Sequence, residues 1–194
     1  AKRCDVPVTI VLFINMQYLF LLTGLKNMKT ISIALALIVV CTDLLTKWWV
    51  KSTLSLHYYP VIEGFFTVHY VENRGIVFGF FNEFHSEWKS PVLAMLALFA
   101  IGMVLYYIWT TPTSELLVLA AFGLVLGGIL GNFFDRLFHG FVVDFIKLHW
   151  RGEWAWPTFN VADSAITTGV ILIMTSNVVG SLDKSEKDHN TVSE

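Results

Sequence analysis

The chain has 194 residues, 13 Lys and Arg against 15 Asp and Glu, and a formal net charge of −2. Its apolar set makes up 55% of the residues, charged residues only 14%, and the mean hydropathy is +0.63. A soluble domain carries about 25% charged residues, so this composition excludes disorder, a basic nucleic-acid-binding domain and a typical soluble enzyme.

In chain order, Val6–Leu22 is apolar but only 17 residues long, with Asn15 and Gln17 in its middle. It could be an extra span, an interfacial segment or a signal-like sequence. Met28, opening "MKT", reads as a natural start before the first strong helix, which would leave residues 1–27 as a dispensable extension. Four apolar stretches then follow, roughly Thr30–Val50, Pro91–Thr110, Ser114–Phe134 and Phe159–Val179. Each holds about 20 residues, enough to cross about 30 Å of hydrocarbon as a helix. Pro91 suits a first helical turn, where its missing N–H costs nothing. The short link Thr111–Thr113 makes the second and third helices an antiparallel hairpin. Residues 28–180 thus form the membrane domain and 181–194 a polar C-terminal tail.

Between the first two spans, Leu56–Phe81 is rich in aromatic and β-branched residues, as in "FFTVHYVEN". It predicts a short strand or two closed by a turn at Asn73–Gly75, hence a small sheet on one membrane face. Trp48, Trp49, Trp88, Trp150, Trp154 and Trp156 fall on that face and Trp109 on the other, as expected of interfacial anchors. Basic residues conflict with this picture. Lys26, Lys29, Lys184 and Lys187 lie at the end that holds the core's termini. Seven others, Lys47, Lys51, Arg74, Lys89, Arg136, Lys147 and Arg151, lie at the long-loop end. A bare count puts the termini outside, but the rule assumes unpaired loop charges.

Charges inside or at the edge of the spans carry the chemistry, because an Asp at mid-helix costs about 2.5–3.5 kcal/mol on insertion scales. Asp43 and Lys47 lie four apart on one helix face, either as a strut of an active site or as a snorkelling interfacial pair. Asn132, Asp135 and Arg136, in "GNFFDR", end the third helix at spacings that let all three face one side. Asp144 stands in the apolar run "FVVDFI". Asp163 lies one turn into the fourth helix, three residues after Asn160. Helix capping alone would account for Asp163. It does not account for a second carboxylate in an apolar run on the same side. Two carboxylates in low dielectric share one proton and become an acid and a base around one water. The chain lacks the H-E-x-x-H and G-x-S-x-G patterns of zinc and serine hydrolases, and its histidines form no i, i+4 ligand pair, so no metal or cofactor is expected. Cys4 and Cys41 are too few for a disulfide scaffold or a thiolate metal site. A small transporter or channel using Asp144 and Asp163 as a proton or ion site is the alternative.

Five motifs, "DLLTK" at Asp43–Lys47, "NRGIVFG" at Asn73–Gly79, "GNFFDR" at Gly131–Arg136, "VVDFI" at Val142–Ile146 and "FNVADSAI" at Phe159–Ile166, occur in this order. Together they resemble lipoprotein signal peptidase, also called signal peptidase II, over about Met28–Val179. The resemblance implies an all-α membrane protein, a four-transmembrane-helix bundle with a small extracytoplasmic β-sheet. It implies an aspartic endopeptidase of the bacterial inner membrane, with both ends of the core cytoplasmic, against the charge count. Its substrates would be lipid-modified prolipoproteins, cut before a diacylglyceryl-bearing Cys, and its partners membrane lipid but no nucleic acid, the enzyme acting as a monomer. The family's catalytic aspartates fall on Asp144 and Asp163. Its supporting residues fall on Asn73, Gly75, Asn132, Asp135, Arg136, Asn160 and Ala162, with Asp43 and Lys47 more peripheral. Ile76 and Val77 stand where the family often has small residues, and residues 1–27 have no counterpart in its usual pattern.

Overall fold

The computed structural model describes residues 28–54, 58–75, 89–150 and 154–192. The segment 1–27, Ile76, Val77 and Trp88 therefore lie outside the described residues. The elements run α1 (Met28–Leu54), β1 (Tyr58–Ile62), β2 (Phe66–Asn73), α2 (Lys89–Thr110), α3 (Leu116–His139), β3 (Val142–Trp150), β4 (Trp154–Ala155) and α4 (Val161–Val192). The chain is mostly helical, with one small antiparallel sheet. Among the described residues three helices, α1, α2 and α3, are long and apolar enough to cross a membrane. The fourth apolar stretch is also helical, and its helix continues to Val192.

Local chemistry sets the helix ends. Pro91 sits in the first turn of α2, as expected. Helix α3 runs past Phe134 to His139, so Asp135 and Arg136 lie within its last turns rather than at its end. It stops at Gly140, whose φ of 78° places it in the left-handed region and whose N–H donates to Arg136 O at 3.1 Å. Five residues, 111–115, join α2 to α3.

Helix α3 is the central element and packs on α1, α2 and α4. Small residues let the backbones approach closely, as membrane helices require when lipid is as apolar as the side chains. A Cβ added at Gly131 would lie 2.5 Å from Asp43 Oδ2, and one at Gly128 would strike the carbonyl oxygen of Ala162. These contacts draw the motifs of α1 and α4 onto α3. The outer face of α2, with Met95, Phe99 and Trp109, is exposed and suits lipid.

The sheet has the order β1-β2-β3-β4 with every pair antiparallel. The hairpin turn between β1 and β2 falls at Glu63–Gly64, where Gly64 takes a φ of 73°. Asn73–Gly75, expected as the turn that closes the strands, follows there: β2 ends at Asn73, whose Oδ1 accepts from Gly75 N at 2.9 Å. The strand through Asp144 was not predicted. Residues Val142–Phe145 are buried on both faces and show no alternation, so a period of two is invisible there. Asp144 pairs with Val71. Ile146 also forms a bridge with Phe159, which ties β3 to the chain entering α4.

Candidate active site

Lys47 does not snorkel. Its side chain is 3% exposed and that of Asp43 is fully buried. The ammonium has three donors and three acceptors: Asp43 Oδ2 at 2.6 Å, Asp135 Oδ2 at 2.9 Å and Asn132 Oδ1 at 3.0 Å. A buried charge survives only when paired and hydrogen-bonded in this way. Each carboxylate of the cluster then holds a further segment. Asp43 Oδ1 accepts from Ala162 N at 2.9 Å, so Ala162 joins the cluster through its backbone. Asp135 Oδ2 accepts from Val143 N at 3.0 Å and fixes the start of β3. Asp135 Oδ1 also faces His139 Nδ1 at 3.6 Å.

Asn132 links this cluster to Asp163. A lysine can only donate, so the atom facing Lys47 is the Asn132 carbonyl oxygen, and the amide nitrogen points the other way. That nitrogen donates to Asp163 Oδ1 at 2.8 Å. Asn160 plays the same part for Asp144. Its Nδ2 donates to Asp144 Oδ1 at 2.7 Å and also reaches Asn132 Oδ1 at 3.2 Å and Val143 O at 3.3 Å. Its Oδ1 accepts from Asp163 N at 2.9 Å, and Asp163 Oδ2 accepts from Asn160 N at 3.3 Å. This is a reciprocal helix cap, so the capping role read from the sequence is present in addition to the clustering. Asn73 completes the set: Nδ2 donates to Asp144 Oδ2 at 2.9 Å, while Oδ1 accepts from Gly75 N at 2.9 Å. Both oxygens of each aspartate therefore take an N–H donor.

Asp144 lies outside the spanning helices, on β3. Burial, and secondly the charge of Asp163, push its carboxyl up to about 7, against the pull of the Asn73 and Asn160 amides. Arg136 Nη1 donates to Asn132 O at 3.3 Å.

Both aspartates line a cavity of about 570 Å³. Asn73, Asn132 and Arg136 share its polar end, and Leu96, Ala100, Ile129 and Ile166 line its apolar part. Asp135, Asp43 and Lys47 do not line the cavity; they brace it from behind. Two parts of the wall are not among the residues expected from the sequence. One is the Trp156–Phe159 loop, signalled only by its adjacency to Asn160. The other is the inner side of α2, where an all-apolar helix gives no periodic signal. Among the described residues no three His, Cys, Asp or Glu side chains converge to hold a metal.

Comparison with known proteins agrees with this geometry. Residues 35–179 match the family described as Signal peptidase (SPase) II. The chain is 39% identical over 140 residues to a lipoprotein signal peptidase of Solibacter usitatus, covering 72% of this chain and 85% of that one. It is 35% identical over 144 residues to one from Francisella tularensis subsp. novicida, covering 74% and 89%. Two solved structures, each described as a bacterial membrane enzyme, resemble it with TM-scores of 0.69 and 0.66 at 30% and 31% identity. They cover 79% and 75% of this chain and 90% of their own. The chain therefore belongs to the signal peptidase II family, and is a multi-pass membrane peptidase.

Proposed function

We propose that this chain removes signal peptides from lipid-modified prolipoproteins by aspartic catalysis, cutting before the diacylglyceryl-modified Cys. The observation that carries the reading is the convergence of Asp144 and Asp163 on one cavity, each held by asparagine amides. A carboxyl pushed up to about 7 keeps its proton near neutral pH, which assigns Asp144 the acid role. Asp163 then acts as base: it takes a proton from a water that attacks the scissile carbonyl. Asp144 gives its proton to the departing amine of the Cys residue. Asn73, Asn132 and Asn160 orient the two carboxylates, and Asp43, Lys47, Asp135, Gly75 and Ala162 hold the segments that carry them. The reaction needs no metal or cofactor.

In this reading residues 28–180 form the peptidase domain. Helices α1 to α4 all cross the cytoplasmic membrane of a bacterium, and both ends of that domain are cytoplasmic. The sheet and the aspartates sit at the extracytoplasmic face, and the enzyme works as a monomer. Residues 1–27 are dispensable, and 181–194 form a cytoplasmic tail. The exposed tryptophans Trp48, Trp49, Trp150, Trp154 and Trp156 around the sheet support an interfacial position there. The alternative of a transporter is disfavoured by the family to which the chain belongs.

The test is cleavage of a diacylglyceryl-modified precursor by purified protein. Asp144→Asn and Asp163→Asn should each lower the rate by about 10²–10⁴-fold, the span of general acid–base catalysis, while the protein stays folded. Substantial turnover by either variant removes that residue from the pair.

A further inference from the structure

Hydroxyl groups in a hydrocarbon-embedded helix are costly unless bonded, and threonine ordinarily meets this by donating to the carbonyl one turn back. Five threonines of this chain do so: Thr42, Thr46, Thr110, Thr168 and Thr175 each donate to the carbonyl four residues earlier. Thr167 breaks the pattern. It is the seventh residue of α4, it is exposed where it lines the cavity, and its hydroxyl has no partner among the described residues. It follows Asp163 by four residues, about 6 Å deeper along the helix axis. On the facing walls Ala97, Ala100 and Ile129 carry no polar side chain, and the nearby hydroxyls of Ser164 and Thr168 on α4 are already donated to carbonyls one turn back. An unspent donor thus stands one turn below a carboxylate of the pair, on the wall of the cavity.

We propose that Thr167 is a substrate-binding residue whose hydroxyl donates a hydrogen bond to a carbonyl oxygen of the bound precursor. This rests on the reading of the chain as a peptidase of lipid-modified precursors. Such a precursor brings carbonyl oxygens to this depth from two sources. The last four carbonyls of a signal helix have no intrahelical partner, and each acyl chain joins its glyceryl group through an ester. Either would satisfy Thr167, and either would place the precursor's height relative to Asp163.

The experiment measures kcat/KM of wild type, Thr167→Val and Thr167→Ser in lipid bilayers. Two precursors are used, one with ester-linked chains and one with the same chains ether-linked. Valine keeps the shape of threonine and removes the donor, and serine keeps the donor. On the ester precursor Thr167→Val should fall about three- to tenfold, the worth of one neutral hydrogen bond, with Thr167→Ser within about twofold of wild type. If that loss disappears on the ether precursor, the partner is an ester carbonyl; if it persists, the partner is a peptide carbonyl. Thr167→Val matching wild type on the ester precursor, or Thr167→Ser falling as far as Thr167→Val, overturns the proposal. A wild type that cleaves neither precursor overturns the peptidase reading itself, a distinct result.

Discussion

Asn160 holds Asp144 with one end of its side chain and caps the helix of Asp163 with the other. Its Nδ2 lies 2.7 Å from Asp144 Oδ1, and its Oδ1 lies 2.9 Å from Asp163 N. One buried amide therefore sets the relative position of two carboxylates that come from a strand and a helix.

Replacing Asn160 with Ala should leave weak but measurable turnover, because both carboxylates remain while their alignment is lost. The cap adds a stability cost of about 1 kcal/mol. Steady-state rates with thermal unfolding of the same sample separate the two effects. Activity as low as that of Asp163→Asn, in a well-folded protein, would give Asn160 a direct part in the chemistry.

The proton on Asp144 predicts a pH dependence. Its folded value of about 7 lies above the ordinary 3.8, so the folded chain binds this proton more tightly than the unfolded chain. Its contribution to stability is then fully present below about 4 and is lost as pH rises to about 7. Activity that needs the protonated acid should decline as pH rises through about 7. A kcat/KM profile checks the second statement. Thermal melts of wild type against Asp144→Asn check the first: the variant should gain on wild type between pH 4 and 8. A flat difference would mean that the carboxyl titrates normally.

Lys47→Met should be among the most damaging substitutions that spare the cavity lining. It leaves Asp43 and Asp135 buried without a counter-charge, which typically costs about 3–5 kcal/mol. Adding Asp43→Asn to Lys47→Met should restore part of the loss. Folded yield and melting temperature of the single and double variants provide the measurement. A double variant no better than the single would mean that Lys47 acts by packing alone.

Two glycine substitutions should differ in sign. Gly128→Ala drives a methyl into the Ala162 carbonyl and should destabilise by about 1–3 kcal/mol, with lost activity as α4 shifts. Gly102→Ala, with nothing within 4 Å of the new methyl, should be neutral or gain up to about 1 kcal/mol of helix propensity. Melting temperatures decide both.

The residues that mark the site were legible because charge in an apolar sequence stands out. Asp43 with Lys47, and Asn160 with Asp163, were visible as helical spacings. What spacing could not show was burial: the same i, i+4 pair serves a snorkelling lysine and a buried strut, and only the third acceptor, Asn132, separates them. The β3 strand was hidden because its residues are apolar on both faces. The α2 wall was hidden for a related reason. Leu96 faces a cavity and Phe99 faces outward, yet both are apolar, so no period distinguishes them. The end of α3 was placed too early because Asp135 and Arg136 resemble a polar terminus when their partners are unknown.

Helix α2 packs mainly against α3, and the cavity is walled by α2 on one side and α4 on the other. The rim residue Leu96 is 57% exposed, so this slot faces the surrounding medium sideways. Under the proposed function, surfactant tails in a micelle would occupy the same slot that the acylated precursor enters. Solubilised enzyme should therefore show an apparent KM that climbs with surfactant concentration, and a rate set by the mole fraction of precursor in the apolar phase rather than by its bulk molarity.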